Sequence, residues 1–183
     1  MIETQKREFQ VENNPEFEWT SKYGSITLTF DGRESTGRGM NEVGLVILKA
    51  ALAETQQSRS HNLPLLSVAQ WTQYQLDTSA TVEDVIASDK VVRIWPDDMQ
   101  SHFIVRDRSG TIAVIEWLDG QMTVYQGYTL PVPATVNSPY ESCISETTNP
   151  LTSAKSVQTP RFFCVTKAIP LGWTNRSTVL RMG

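Results

Sequence analysis

An α+β fold, with antiparallel strands and a few short helices between them, is what this sequence predicts, on three observations. Three apolar-rich runs, His102–Asp107, Thr111–Trp117 and Met122–Gln126, are separated by Arg108-Ser109-Gly110 and Leu118-Asp119-Gly120-Gln121. Short Gly-containing loops between β-rich runs mark hairpins, so this stretch is an antiparallel meander. Lys22–Phe30 alternates apolar and polar side chains, and Ser67 and Thr81 each precede a segment with helical spacing. With 183 residues, 39% of them apolar and 20% charged, the chain has enough material for one domain with a buried core.

Taken in order, residues 1–18 are polar, contain Asn13-Asn14-Pro15 and fit an extended lead-in. Lys22–Phe30 follows as a half-buried strand, with Ile26, Leu28 and Phe30 on one side and Thr27 and Thr29 on the other. Asp31-Gly32 starts a turn. Gly44–Leu52 fits either a buried strand or a short helix, and its β-branched start favours the strand. Ser67 can cap a helix reaching about Asp77, with Val68, Trp71 and Leu76 on a shared side. Thr81-Val82-Glu83-Asp84 resembles a capping box with Asp in place of Glu or Gln, and Val82, Val85 and Ile86 then suit a short helix. After the meander come Pro131, Pro133 and Asn137-Ser138-Pro139, then a polar stretch to about Gln158 and a short apolar return at Arg161–Val165.

Composition also removes classes of function. A net charge of −4, a pI near 5.2 and no long Lys/Arg run argue against a nucleic-acid partner. The longest apolar stretch, Gly44–Leu52, is interrupted by Lys49 and falls well short of the roughly 20 residues that span a bilayer, so no membrane partner is expected. The polar N-terminus lacks the apolar run of a signal peptide, which points to the cytoplasm; an upstream segment would open a periplasmic or secreted location. Cys143 and Cys164 allow one disulfide but better suit two unpaired thiols in or near the core.

Common catalytic motifs are missing: no phosphate-binding G-x-x-x-x-G-K-[ST], no H-E-x-x-H, no C-x-x-C and no G-x-S-x-G. His102 could pair with Cys143 or Cys164 as a dyad, yet with two His and two Cys such pairs arise by chance, and His102 is expected to be an ordinary strand residue. No cluster of ligands suits a metal, and no cofactor is expected. Asn137 before Ser138-Pro139 is, on its own, the kind of residue that starts a turn, and Arg161 is a surface or core-edge cation.

Four stretches carry a family resemblance: WTSKYGSIT (Trp19–Thr27), GMNEVGL (Gly39–Leu45), QWTQYQLDTSATVEDVI (Gln70–Ile86), and SHFIVRDRSGTIAVIEWLDGQMTVY (Ser101–Tyr125) with TVNSPYE (Thr135–Glu141). In this order and spacing they resemble the choloylglycine hydrolase family, which includes bile salt hydrolases, penicillin V acylases and related linear-amide C–N hydrolases. Beyond Asn149 the match thins to PRFF (Pro160–Phe163). The resemblance implies three sections: the lead-in 1–18, a partial amidase-like domain over 19–165 and an unassigned tail 166–183. It also implies a partial αββα N-terminal-nucleophile fold, in which two antiparallel sheets stack between helices.

The chemistry implied is hydrolysis of a small linear amide by a cysteine at the start of the mature chain, whose own α-amino group manages the proton. By resemblance Asn137 matches the residue whose side-chain amide donates to the oxyanion, and Arg161 matches the Arg beside the nucleophile. Ala51, ten residues after Asn41, falls where bile salt hydrolases carry an Asn with an oxyanion-binding backbone N–H. A backbone donor survives that change; side-chain contacts of the bile-salt type do not. Positions 1 and 2 are Met1 and Ile2, not Cys, so the chain is expected to be a fragment or truncated homologue, inactive alone and completed by further chain or a complementing partner. A homo-oligomer, or a non-catalytic binding module on the same scaffold, is the other expectation.

Overall fold

A computed structural model describes residues 6–7, 17–29, 36–57, 63–96 and 99–148, without the side chains of 6–7 and 146–148. Strands β1 (Lys6–Arg7) and β2 (Trp19–Thr20) form a short antiparallel pair. Next come β3 (Ser25–Thr29), β4 (Thr36–Asn41), β5 (Val46–Ala51) and β6 (Leu65–Leu66), then helices α1 (Val68–Thr78) and α2 (Val82–Ala87). After a 3₁₀ turn at Ser88–Lys90 come β7 (Arg93–Ile94), β8 (Ser101–Arg106), β9 (Ile112–Leu118) and β10 (Gln121–Gln126); a second 3₁₀ turn, Gly127–Thr129, precedes α3 (Tyr140–Thr148). Six strands make one antiparallel sheet in the order β10-β9-β8-β5-β4-β3, and β6 and β7 pair in parallel beside it. The fold is therefore α+β, and the ambiguous segment at Gly44–Leu52 contains a strand.

The meander forms as its loops foretell. Asp119 and Gly120 both take positive φ, 53° and 76°, and join β9 to β10 by a two-residue turn of the kind whose twist matches paired strands. Both expected helix starts are present. Ser67 Oγ accepts from Gln70 N–H while Gln70 Oε1 accepts from Ser67 N–H, and Thr81 and Asp84 exchange the same two bonds at α2.

One face of the sheet carries Ile47, Phe103, Val105, Ala113, Ile115 and Trp117, which pack on Trp71 and Leu76 of α1 and Val82 and Val85 of α2. Trp71 lies 4.6 Å from Phe103 and 5.6 Å from Trp117, centroid to centroid. Each such side chain contributes about 1.5–3 kcal/mol by leaving water, and each aromatic pair adds about 0.5–1.5 kcal/mol.

Two expectations are corrected. On β3 the apolar side faces outward: Ile26 is 73% exposed and Leu28 63%. The register sets Thr27 opposite Gly39, on the face where α1 presents Leu76 and Gln73, so Ser25 and Thr27 meet the helix and Ile26 and Leu28 point the other way. Helix α3 was also unexpected, because its sequence YESCISETT is mostly polar. It forms because Tyr140 and Ile144, four residues apart, share one side and pack with Val114, Tyr125 and Leu130 on the opposite face of the sheet. Arg161–Val165 and the tail lie outside the described residues, as does Phe30.

Candidate oxyanion site

Asn137 sits in a loop of nine residues, 132–140, that one side chain closes. The Tyr140 hydroxyl donates to Val132 O at 2.7 Å and accepts from Val132 N–H at 3.2 Å, tying the loop's end to its start. The Tyr140 ring stacks at a tilt on Tyr125 of β10, with centroids 4.8 Å apart, so the closure is seated on the sheet. Within this loop Asn137 is exposed, Ser138 and Pro139 are half-buried, and Tyr140 is buried.

Beneath the loop lies a buried histidine–glutamate pair. His102 on β8 and Glu116 on β9 project from the same sheet face and are both fully buried, with His102 Nδ1 2.8 Å from Glu116 Oε1. Glu116 Oε1 and Oε2 accept from Tyr140 N–H at 3.0 and 3.2 Å. Thr135 Oγ1 lies 3.4 Å from His102 Nδ1 and 3.3 Å from Nε2, against the ring edge between the two nitrogens. Asn137 thus stands between two anchored residues, two positions after Thr135 and three before Tyr140. Buried carboxylates persist only when paired and hydrogen-bonded, as Glu116 is. Its charge also reaches Tyr125: burial first, then Glu141, Glu116 and Tyr140, push that phenol up to about 12. Tyr125 is therefore neutral across the physiological range.

Ala51 ends β5 and lies near the same end of the sheet, because its neighbour Ala50 is the cross-strand partner of His102. Leu52 N–H donates to Gln100 O, and hydrogen-bonded and open pairs alternate in an antiparallel ladder. The Ala51 N–H therefore lies in the sheet plane and points away from β8, toward the β4 side. Arg161 and Cys164 lie outside the described residues. A His102–Cys143 dyad is not formed: the His102 nitrogens meet Glu116 and Thr135, while Cys143 sits on α3. Asn41 is buried and joins the β4–β5 turn to the end of α1: its Nδ2 donates to Leu76 O and Ser79 O, and its Oδ1 accepts from Leu45 N–H.

Glu116 and Tyr140 were missed in the sequence because nothing local marks them. Glu116 is one acid in an apolar run, and an acid inside a strand buried on both faces was the only signal available. Among the described residues no three His, Cys, Asp or Glu side chains come together as a metal site, and no helix is long and apolar enough to cross a membrane.

Comparison with known proteins places this geometry in context. The model of the linear amide C–N hydrolases, choloylglycine hydrolase family, matches residues 1–167. A penicillin V acylase of Pectobacterium atrosepticum is 38% identical over 124 residues, an alignment spanning 59% of this chain and 33% of that protein. The structure of the penicillin V acylase from Agrobacterium tumefaciens superposes with a TM-score of 0.63 at 28% identity, over 85% of this chain and 48% of that one. A variant of the conjugated bile acid hydrolase from Clostridium perfringens gives a TM-score of 0.59 at 20% identity, over 78% of this chain and 47% of that one, a likeness of fold alone. This chain thus spans from a third to about half the length of these relatives.

Proposed function

The chain belongs to the choloylglycine hydrolase family of linear amide C–N hydrolases, and from that premise we propose that its residues form the oxyanion side of an amide-cleaving site. In this reading the substrate is a small linear amide of the penicillin V kind. The Asn137 side-chain amide donates to the oxygen that gains charge as the carbonyl is attacked, and a fixed donor there lowers the barrier because it needs no reorganisation. Arg161 stands beside the nucleophile and favours its thiolate, and the Ala51 N–H is the second donor. The nucleophile itself comes from outside these residues, whose cysteines are Cys143 and Cys164, so the chain alone does not turn over.

The observation that carries the reading is the setting of Asn137: an exposed amide at the crest of a loop whose flanks are anchored to buried groups. An amide held in that way is presented to a ligand rather than spent on the fold. Ala51, one residue past the strand partner of His102, supports the same placement.

The test uses the purified 183-residue chain. Penicillin V is expected to shift the Asn137 side-chain amide resonances at millimolar concentration, with no hydrolysis over hours, and Asn137→Ala is expected to weaken that binding at least fivefold. Hydrolysis that persists after alkylation of Cys143 and Cys164 would refute the claim that the nucleophile lies elsewhere. Binding unchanged in Asn137→Ala would remove Asn137 from the site.

A further inference from the structure

We propose that Glu116, together with His102, is the positioning pair for Asn137: the two buried side chains set where the loop's amide is presented, without touching it. The inference deepens the amide-hydrolase reading and rests on it for the meaning of Asn137, though the clamp itself is independent of any turnover.

The geometry points to a division of labour. The Tyr140 hydroxyl closes the loop upon itself, but that bond to Val132 fixes the loop's shape and not its place on the sheet. The Tyr140 ring seats the loop on Tyr125, and its exact place is set by two polar contacts to the sheet's own side chains, Tyr140 N–H to Glu116 and Thr135 Oγ1 against His102. Glu116 and His102 project from adjacent strands whose register is fixed by the meander, with Phe103 paired to Ile115 beside them. The register of β8 on β9 is in this way transmitted to the segment carrying Asn137.

Hydrogen-bonding capacity explains why these two residue types suit the task. A carboxylate has lone pairs enough to take the Tyr140 N–H and the imidazole together, and Glu116 Oε1 does both. Both carboxyl oxygens face the Tyr140 N–H, at 3.0 and 3.2 Å, where a backbone carbonyl would offer one. Burial keeps water from competing for either group. An apolar pair of similar size would satisfy the core equally well and leave the Tyr140 N–H without its partner. Filling the core and placing the loop are therefore separable properties.

Separability supplies the experiment, made on the full chain by NMR and hydrogen exchange. In Glu116→Gln the amide oxygen, at the place of Oε1, still faces both Tyr140 N–H and His102 Nδ1. The expected result is Tyr140 amide protection within threefold of the parent and a His102 ring ¹⁵N spectrum of the parent's type. In the double variant His102→Leu, Glu116→Leu the sheet amides of Val114 and Trp117 are expected to keep their protection. Tyr140 protection falls at least tenfold, the Asn137 side-chain resonances move toward solvent-averaged values, and penicillin V binding weakens at least tenfold.

A double variant that folds, yet leaves Tyr140 protection and the Asn137 resonances as in the parent, overturns the proposal. If that variant does not fold, Glu116→Gln decides: a folded Gln variant that loses Tyr140 protection more than tenfold also overturns it, and one that keeps it upholds it. A Gln variant that itself fails to fold overturns it too, because the pair would then be needed for the core and not for the loop alone. Loop placement is read without substrate, so a failure of penicillin V binding in the parent chain counts against the hydrolase reading and not against the clamp.

Discussion

Gly39 on β4 lies so close to Leu76 on α1 that a Cβ at position 39 would stand 2.6 Å from the Leu76 Cδ1 and 2.8 Å from the Ile26 carbonyl oxygen. No real Cβ tolerates either contact, so helix and sheet touch here only because a side chain is missing. Gly39→Ala is expected to destabilise the chain by about 1–3 kcal/mol, the usual cost of overpacking, despite the smaller entropic gain of removing a glycine. Urea midpoints at unchanged m-value check this, and an Ala variant as stable as the parent would show that α1 can move away freely.

Two residues on, Asn41 uses its whole side chain to join β4, β5 and α1. The last carbonyls of a helix lack partners inside it, and Asn41 Nδ2 supplies one to Leu76 O at 3.0 Å while also reaching Ser79 O at 2.8 Å. Asn41→Ala leaves those groups and the Leu45 N–H bare in a buried place. With roughly 1–3 kcal/mol for each buried polar group left unpaired, a loss of roughly 2–4 kcal/mol is expected. Asn41→Asp should not rescue it, since a carboxylate keeps the acceptor for Leu45 but loses the two donors. Exchange of the Leu45 amide distinguishes the two variants.

Acid should weaken the chain partly through Asp107. Burial alone raises this carboxyl, but bonds from Ser109 Oγ and from the N–H groups of Val82, Ser109 and Thr111 outweigh it and hold it below the ordinary 3.8. Because the folded value is the lower one, the stabilisation is complete above the unfolded value and fades as pH falls through the folded value. Asp107→Asn, which cannot accept from both Val82 and Ser109 in the same way, should therefore be less stable than the parent at pH 7. The gap should narrow steadily as the pH falls below about 4. Chemical denaturation at several pH values measures it, and a gap that widens in acid would reverse the assignment.

Exposed apolar side chains on β3 carry a different expectation. Among the described residues β3 is an edge strand of the sheet, and Ile26, Leu28 and, on β4, Met40 lie uncovered on one face. Edges of this kind invite pairing with other chains. Ile26→Thr with Leu28→Thr should raise the concentration at which the purified chain remains unaggregated, while changing stability by less than about 1 kcal/mol in total, as surface changes do. Light scattering against concentration checks the first part and thermal melting the second. A large drop in melting temperature would mean that these side chains are covered in solution.

The sequence by itself determined the meander, both capped helix starts and the family. Each of these is written in neighbouring residues: Gly at a turn, Ser67 and Thr81 three positions before their partners, and motifs in a fixed order. The expectation at Asn137 rests on its own short segment for the same reason. Tertiary structure alone decided which face of β3 is buried, since alternation gives two sides but not which of them meets α1. It also decided that a polar stretch becomes α3, because the apolar surface that receives Tyr140 and Ile144 belongs to strands from elsewhere in the chain. His102 and Glu116, fourteen residues apart, became partners only when β8 and β9 paired and turned both side chains to the same face. A charge in a strand is costly or useful according to what lies across from it, and that neighbour is chosen by register, which no single segment contains.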